Sequence, residues 1–351
     1  MTSCCHVVQD HARKTEIWRV HRLADKHIGN FVCEEPVRTS RQRGTILFYS
    51  ETSDPSWPTE LQKALPAFAV RTRPEDTDPT DVVAAIVWKY PAGMLQQFAN
   101  LRLIQVLGAG VDHLWSDPGL PKHVPIARLV DPGLTTRMTE YVLLHSLALH
   151  RRLPELRDAQ CKNTWRYLHP RPPADTCVGI MGLGVLGHSC AAALASIGFD
   201  AIGWSRSRKS NVAVRTYIGA AELNDFKSRA DIIVLLLPLT SATENLIDSQ
   251  FLTGVRDGAA LINVGRGALI VEDALIAALD AGRLRHAVLD VFRTEPLPAE
   301  HAFWQHPKIT VTPHNSSATN PATALGQLVE NIRRATAGEK LLHPVDPTIG
   351  Y

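Results

Sequence analysis

The run Cys177-Val-Gly-Ile-Met-Gly-Leu-Gly-Val-Leu-Gly-His188 decides the fold of this chain. A short apolar stretch, Val178 to Met181, leads straight into the G-x-G-x-x-G pattern of Gly182, Gly184 and Gly187. Small residues from Ser189 to Ile197 follow, and Gly198 is placed to end them. The order is strand, glycine turn, helix. In a dinucleotide site the first glycine permits the turn, the second lets backbone approach a pyrophosphate, and the third lets helix and strand pack closely. The helix N-terminus adds free N–H groups and the positive end of a dipole. With Leu183, Val185 and Leu186 between the glycines, the whole turn Gly182–Gly187 is read as cofactor-binding. The competing reading is a glycine turn that merely packs; the flanking strand and helix weigh against it.

The next strand, Ala201-Ile-Gly-Trp204, refines the cofactor. An NAD-binding protein places an Asp or Glu about 20 residues on, for the adenosine ribose hydroxyls. Here the strand runs into Ser205-Arg206-Ser207-Arg208-Lys209. No carboxylate is present to bind a diol or to repel a 2′-phosphate. Arg206 and Arg208 supply planar donors suited to a phosphate, and Ser205 or Ser207 adds a hydroxyl. The alternative is a solvated basic loop. The sequence predicts NADPH as cofactor, with NADH possible but weaker.

Composition bounds the rest. A chain of 351 residues holds two domains with sizeable cores. A net charge of +2 argues against a polyanion-binding surface, and so against nucleic acid as a partner. No uninterrupted apolar run, Ile232 to Leu237 among them, approaches the roughly 18 residues of a membrane span. Cys4, Cys5, Cys33, Cys161, Cys177 and Cys190 show no C-x-x-C pair and no zinc spacing. Reduced thiols in a cytoplasmic protein are the simplest expectation, with no metal. Residues 1–43 are rich in His, Arg and Lys but interrupted by Asp10, Glu16, Asp25, Glu34 and Glu35, unlike an acid-poor presequence. They are expected to form a poorly ordered extension.

From Gly44 strands and helices alternate, which implies parallel, doubly wound sheets. Strands are predicted at Thr45–Tyr49, Val82–Trp88 and Leu103–Leu107, with helices at Trp57–Leu65 and Pro91–Ala99. A long apolar helix, Thr136 to Arg151, precedes the glycine run and reads as a connector or a dimer element. After the run come strands Ile232–Leu237, Ala260–Val264, His286–Asp290 and Ile309–Thr312, a helix Leu269–Leu279 closed by Gly282, and a last helix Pro321–Ala337. Because the glycine run sits mid-chain, the tail is expected to pack back on the first unit. The predicted fold is α/β, with a Rossmann cofactor domain (132–315) inserted into a discontinuous flavodoxin-like substrate domain (44–131 and 316–351).

In such sheets ligands bind outside the carboxyl ends of the strands. Those ends carry Val264-Gly265-Arg266-Gly267, then Asp290 with Glu295 in the next loop, then Pro313-His314. An arginine, two carboxylates and a histidine thus converge beside the expected nicotinamide. Each also has a plain structural reading: a surface cation, a solvated acid, a loop cap, an ordinary loop histidine. Their joint arrangement outweighs any one of these.

The residues from about Gly44 to Pro347 resemble the D-isomer-specific 2-hydroxyacid dehydrogenases, and among them the NADPH-dependent glyoxylate/hydroxypyruvate reductases. The resemblance rests on Gly108-Ala-Gly-Val-Asp112, Gly182–Gly187, Trp204–Lys209, Leu237-Pro-Leu-Thr240, Asn263–Gly267, Leu289-Asp-Val-Phe-Arg-Thr-Glu-Pro-Leu-Pro298, Trp304-Gln-His-Pro307 and Thr312-Pro-His314. It implies that Arg266, Glu295 and His314 hold the catalytic positions and that Asp290 lies near the nicotinamide carboxamide. Leu237, Pro238, Val264 and Gly265 join the cofactor set. Ala109 and Gly110, in the loop that holds the substrate carboxylate, join Arg266 as substrate contacts, and Trp88 is a candidate pocket wall. It also implies a homodimer. One departure is Asn315-Ser-Ser-Ala-Thr319, where reductase-type relatives often carry smaller apolar residues. The expected reaction is reduction of a 2-keto acid, with His314 as acid, Glu295 orienting it and Arg266 clamping the carboxylate. The rivals are a reductase of larger 2-keto acids and a nucleotide-sensing regulator on the same fold.

Overall fold

The computed structural model describes residues 43–51, 53–209 and 214–351. Apart from Arg43, the expected extension over residues 1–43 lies outside them. Apolar runs too short for a helix form strands buried on both faces, as a helix-covered parallel sheet requires. The first unit contains β1 (Thr45–Ser50), α1 (Trp57–Ala64), β2 (Ala69–Arg71), β3 (Val82–Trp88), β4 (Leu103–Val106), α2 (Asp112–Trp115) and β5 (Ile126–Ala127). Its sheet runs β2-β1-β3-β4-β5, with every pair parallel.

Two helices, α3 (Pro132–His150) and α4 (Leu153–Cys161), lead out of it. The second unit follows with β6 (Cys177–Met181), α5 (Val185–Ser196), β7 (Asp200–Ser205), β8 (Arg215–Ile218), α6 (Leu223–Arg229), β9 (Ile232–Leu235), α7 (Ser249–Thr253), β10 (Ala259–Asn263), α8 (Glu272–Asp280), β11 (Leu284–Leu289) and β12 (Ile309–Val311). Its sheet runs β12-β11-β10-β9-β6-β7-β8, again all parallel. The strand order reverses between β6 and β9, so the glycine turn stands at the topological switch point.

The last helix, α9 (Pro321–Ala337), returns to the first sheet. Its apolar face buries Ala324, Leu328 and Ile332 against Ile46, Leu103 and Leu129. Each fully buried leucine or isoleucine there is worth roughly 1.5–3 kcal/mol. A polar zipper fixes the register: Asn331, wholly buried, donates to Gln105 Oε1 at 2.8 Å and accepts from the Leu342 amide at 2.7 Å. A Rossmann unit is therefore inserted into a discontinuous flavodoxin-like one.

Asp131 and Ser317 bind the two chain crossings together. Asp131 caps α3 by accepting from Leu134 N and also accepts from Thr323 Oγ1 of α9, both at 2.9 Å. Ser317 Oγ donates to the Leu134 carbonyl at 2.7 Å.

Some element expectations are corrected. Only a 3-10 turn, Met94–Gln97, stands where a helix over Pro91–Ala99 is predicted, because Gly93 enters a left-handed conformation at φ 79°. The helix predicted over Leu269–Leu279 begins only at Glu272, since Ile270 is held extended by a bridge to Ile247. The helix after the glycine run spans Val185–Ser196 and so begins inside the motif. Among the described residues no helix is long and apolar enough to cross a membrane.

Candidate active site

The carboxyl edges of both sheets open onto one cleft of about 1370 Å³. On its cofactor side the three glycines divide the work. Gly182 turns the chain at φ 107°. A Cβ on Gly187 would lie 1.9 Å from the Gly182 carbonyl oxygen, so any side chain would push α5 off β6. A Cβ on Gly184 would meet nothing within 4 Å, and Gly184 lines the cleft. That bare backbone at the start of α5 is the cradle a pyrophosphate needs. Val185 and Leu186 line the same wall; the Leu183 side chain is buried, so its share is chiefly backbone.

Ser205, Arg206, Ser207 and Lys209 also line the cleft, as do Leu237, Pro238, Val264 and Gly265. Ser205 Oγ donates to the Ser207 carbonyl at 2.8 Å, tightening the loop at the end of β7. Arg208 is exposed and does not line the cleft; Lys209, which was not expected there, does.

Across the cleft, the buried Asn263 shapes the loop that carries Arg266. Asn263 Oδ1 accepts from Gly265 N at 3.1 Å, and its Nδ2 donates to the Arg266 carbonyl at 2.9 Å. The Arg266 guanidinium is held by Asp112 (Nε to Oδ1, 2.8 Å) and by the Gly265 carbonyl (Nη1, 2.8 Å). Its Nη2 faces Gly110, where a Cβ would stand 1.8 Å away. Ala109 and Gly110 line the cleft beside it, and the Trp88 indole lies over Gly108 so closely that a Cβ there would come within 2.5 Å.

His314 stands next to this group, in a left-handed conformation at φ 52°. Its Nδ1 pairs with Glu295 Oε2 at 2.8 Å. The other Glu295 oxygen accepts from Phe292 N at 3.1 Å, and Lys89 Nζ reaches Oε2 at 3.1 Å from the first unit. Burial opposes ionisation of Glu295. The hydrogen bond and charge of His314, the Phe292 amide and Lys89 together outweigh it, holding the pKa down at about 2. The tie to Glu295 leaves Nε2 as the His314 nitrogen able to exchange a proton with a ligand.

Asp290 does not line the cleft. It is wholly buried, and its carboxylate accepts from Thr312 Oγ1 at 2.6 Å, Asn315 N at 3.0 Å and Ser316 N at 2.9 Å. Its carbonyl accepts from His314 N at 2.8 Å. Asp290 thus holds the turn that presents His314. The main-chain N–H groups of Asn315 and Ser316 need acceptors at this turn, and the Asp290 side chain supplies them.

A side chamber of about 320 Å³ adjoins the cleft, with Lys89, His113, Arg266, Arg293, Glu295 and His314 in its wall. Burial lowers the His113 pKa to about 4, so this ring is neutral at ordinary pH. Lys89 and Asp112 complete the ionic set without having been expected in it. Among the described residues no cluster of three or more His, Cys, Asp or Glu side chains could hold a metal ion. The arrangement can hold a carboxylate on Arg266 and move a proton at His314.

Three comparisons bear on this geometry. Residues 143–316 match the family model of the D-isomer specific 2-hydroxyacid dehydrogenase NAD binding domain. The glyoxylate/hydroxypyruvate reductase A of Serratia proteamaculans is 39% identical over 313 residues, 87% of this chain and 99% of that protein. A D-isomer specific 2-hydroxyacid dehydrogenase from Xanthobacter autotrophicus Py2, solved with NADPH and MES, superposes with a TM-score of 0.84 at 43% identity, covering 88% of this chain and 100% of that one. The NADPH-dependent glyoxylate/hydroxypyruvate reductase of Sinorhizobium meliloti, solved with NADP and sulfate, gives 0.79 at 36% identity, covering 88% and 99%.

Proposed function

The chain belongs to the D-isomer-specific 2-hydroxyacid dehydrogenases, and from that premise we propose that it reduces a small 2-keto acid with NADPH. Glyoxylate, giving glycolate, and hydroxypyruvate, giving D-glycerate, are the substrates this reading names. The observation that carries it is the convergence of Arg266 and the Glu295–His314 pair on the cleft that also holds the Gly182–Gly187 turn. The names of the relatives support the same substrate class.

Bound along the glycine turn, NADPH supplies the hydride. Arg266 holds the substrate carboxylate through its planar donors and draws electron density toward the keto oxygen. Gly110 leaves the guanidinium room to do so. His314 gives its Nε2 proton to the keto oxygen as negative charge develops there. Glu295 keeps the ring oriented and stabilises its protonated form. In the reverse direction His314 takes the proton back. Trp88, over Gly108, narrows the end of the pocket and favours small substrates.

Selection of NADPH is assigned to Ser205, Arg206 and Ser207 at the end of β7, where no carboxylate lines the cleft. Initial rates with a panel of 2-keto acids and both cofactors test the whole reading. We expect glyoxylate and hydroxypyruvate to exceed bulkier keto acids in kcat/KM, and NADPH to exceed NADH at least about tenfold. Arg206→Ala should weaken NADPH binding by about tenfold and spare NADH. Equal efficiency with both cofactors would refute the assignment, and preference for bulky acids would favour the larger-substrate reductases. Tight nucleotide binding with no turnover would favour the regulator.

The proposal extends to a homodimer in the cytoplasm. Leu144, Leu147 and Leu153 are exposed along α3 and α4, and Trp165 is 98% exposed beyond them. A second copy would cover this apolar set. The free thiols Cys161, Cys177 and Cys190 suit a reducing compartment. Sedimentation at micromolar concentration should give a dimer, weakened at least about tenfold in Trp165→Ala; a monomeric native protein would exclude it.

A further inference from the structure

Beyond α9 the chain crosses the molecule a further time. Val345 N donates to the Ile126 carbonyl at 2.9 Å, placing this segment along the free edge of the first sheet. Asp346 then builds a tight turn, accepting from Thr348 N at 2.8 Å and Thr348 Oγ1 at 2.6 Å, with Gly350 N bonded to its carbonyl at 3.0 Å. The turn is anchored on α2, where Trp115 Nε1 donates to the Gly350 carbonyl at 3.0 Å. Past that anchor the chain reaches the other unit. Tyr351 Oη accepts from Arg206 Nη2 at 2.8 Å, and the Arg206 guanidinium carbon lies 5.7 Å from the centre of the Tyr351 ring. Both Gly350 and Tyr351 line the cofactor cleft.

The partners of Arg206 give this contact its chemical meaning. Among the described residues Arg206 makes no ion pair with a carboxylate; Tyr351 is its side-chain partner. A phenol oxygen that accepts one N–H still has its own O–H to donate. The remaining guanidinium N–H groups stay available as well. A cation and a neutral donor are therefore set side by side at the end of β7, which is what a phosphate monoester requires. A free ribose hydroxyl gains much less from the same pair, because it carries no charge.

We propose that Tyr351 is a specificity-determining residue, which holds Arg206 in place and donates its own O–H to the 2′-phosphate of NADPH. The inference rests on the NADPH reading above. Segment 345–351 thereby makes the first unit a partner in choosing the cofactor bound by the second.

The test is the dissociation constant of each nucleotide, measured on the full chain by calorimetry, without substrate. Tyr351→Phe keeps the ring and removes the hydroxyl. It should raise the Kd of NADPH about fivefold and leave that of NADH within about twofold. Tyr351→Ala should raise the NADPH value about tenfold. In combination with Arg206→Ala the losses should fall short of the product of the single effects, because the two side chains act as a pair. A residue that only covers the adenosine would weaken both nucleotides equally; that result, or an unchanged ratio in Tyr351→Phe, overturns the proposal. If Arg206→Ala collapses the ratio and Tyr351→Phe does not, only the role of Tyr351 fails. If neither variant changes the ratio, the NADPH reading fails with it.

Discussion

His314→Ala is expected to lower kcat for keto-acid reduction roughly a thousandfold, with the Kd of NADPH changed less than about twofold. The two effects should separate because, on the proposed mechanism, the imidazole would touch the reacting oxygen and not the glycine turn. Without it, on the proposed mechanism, the developing alkoxide would take its proton from water. Lys89, which shares the side-chamber wall with His314, is committed to Glu295 at 3.1 Å. Glu295→Gln should cost less, about tenfold to a hundredfold, and should move the kcat profile for reduction toward acid. The native carboxylate, with its pKa held down at about 2, stays ionised across any practical assay range, so the charge beside His314 Nδ1 is constant throughout. The same depression sets a stability dependence. Folded Glu295 titrates below its ordinary value of 4.5, so its contribution is complete above that pH and is lost as pH falls toward about 2. Steady-state kinetics over pH, with nucleotide titrations beside them, decide the matter. A His314→Ala variant within threefold of the native kcat would remove the acid–base assignment.

Arg266→Ala should lower kcat/KM about a thousandfold, through a higher KM and a lower kcat together. Lysine should recover little, since one ammonium cannot copy two parallel N–H donors. The truncation also frees Asp112, leaving a half-buried carboxylate without its 2.8 Å partner at the edge of the substrate loop. Gly110→Ala separates these effects because it keeps both charges. Its methyl would stand 1.8 Å from Nη2, so the guanidinium must swing away while the glycine turn is untouched. A rise of about tenfold or more in KM, with unchanged Kd for NADPH, is the expected result. Native kinetics in Gly110→Ala would mean that Arg266 does not need that position, and the clamp would have to be reassigned.

Legibility in the sequence followed the reach of local chemistry. Gly182, Gly184 and Gly187 could be read because strand, turn and helix are contiguous, and their environments differ as the three roles require. Arg266 and Glu295 were legible because they follow strands with long buried apolar runs, and His314 because it follows the next strand in the same alternation. Lys89 and Asp112 were not. Their partners lie 206 and 154 residues away, and no spacing rule connects an ammonium on one sheet to a carboxylate on another. Asp290 stood at the right strand end, but its direction is set by the buried amides of Asn315 and Ser316, which only the folded turn reveals. The strands that escaped notice, β2, β5 and β8, are short edge segments of two to four residues, too brief to show a period. Tyr351 had no signal at all, since its contact with Arg206 depends on a turn anchored by Trp115.

The paired crossings between the two units have a mechanical consequence. Asp131 and Ser317 belong to different crossings, and both bind the first turn of α3. Bodies pinned at adjacent points behave like a door on its frame, keeping one swing and losing every other relative movement. The Lys89–Glu295 and Arg266–Asp112 pairs, reaching across the cleft, are then the latches of that door. Any swing that opened the cleft would have to unmake the ionic set around His314, and closure would remake it.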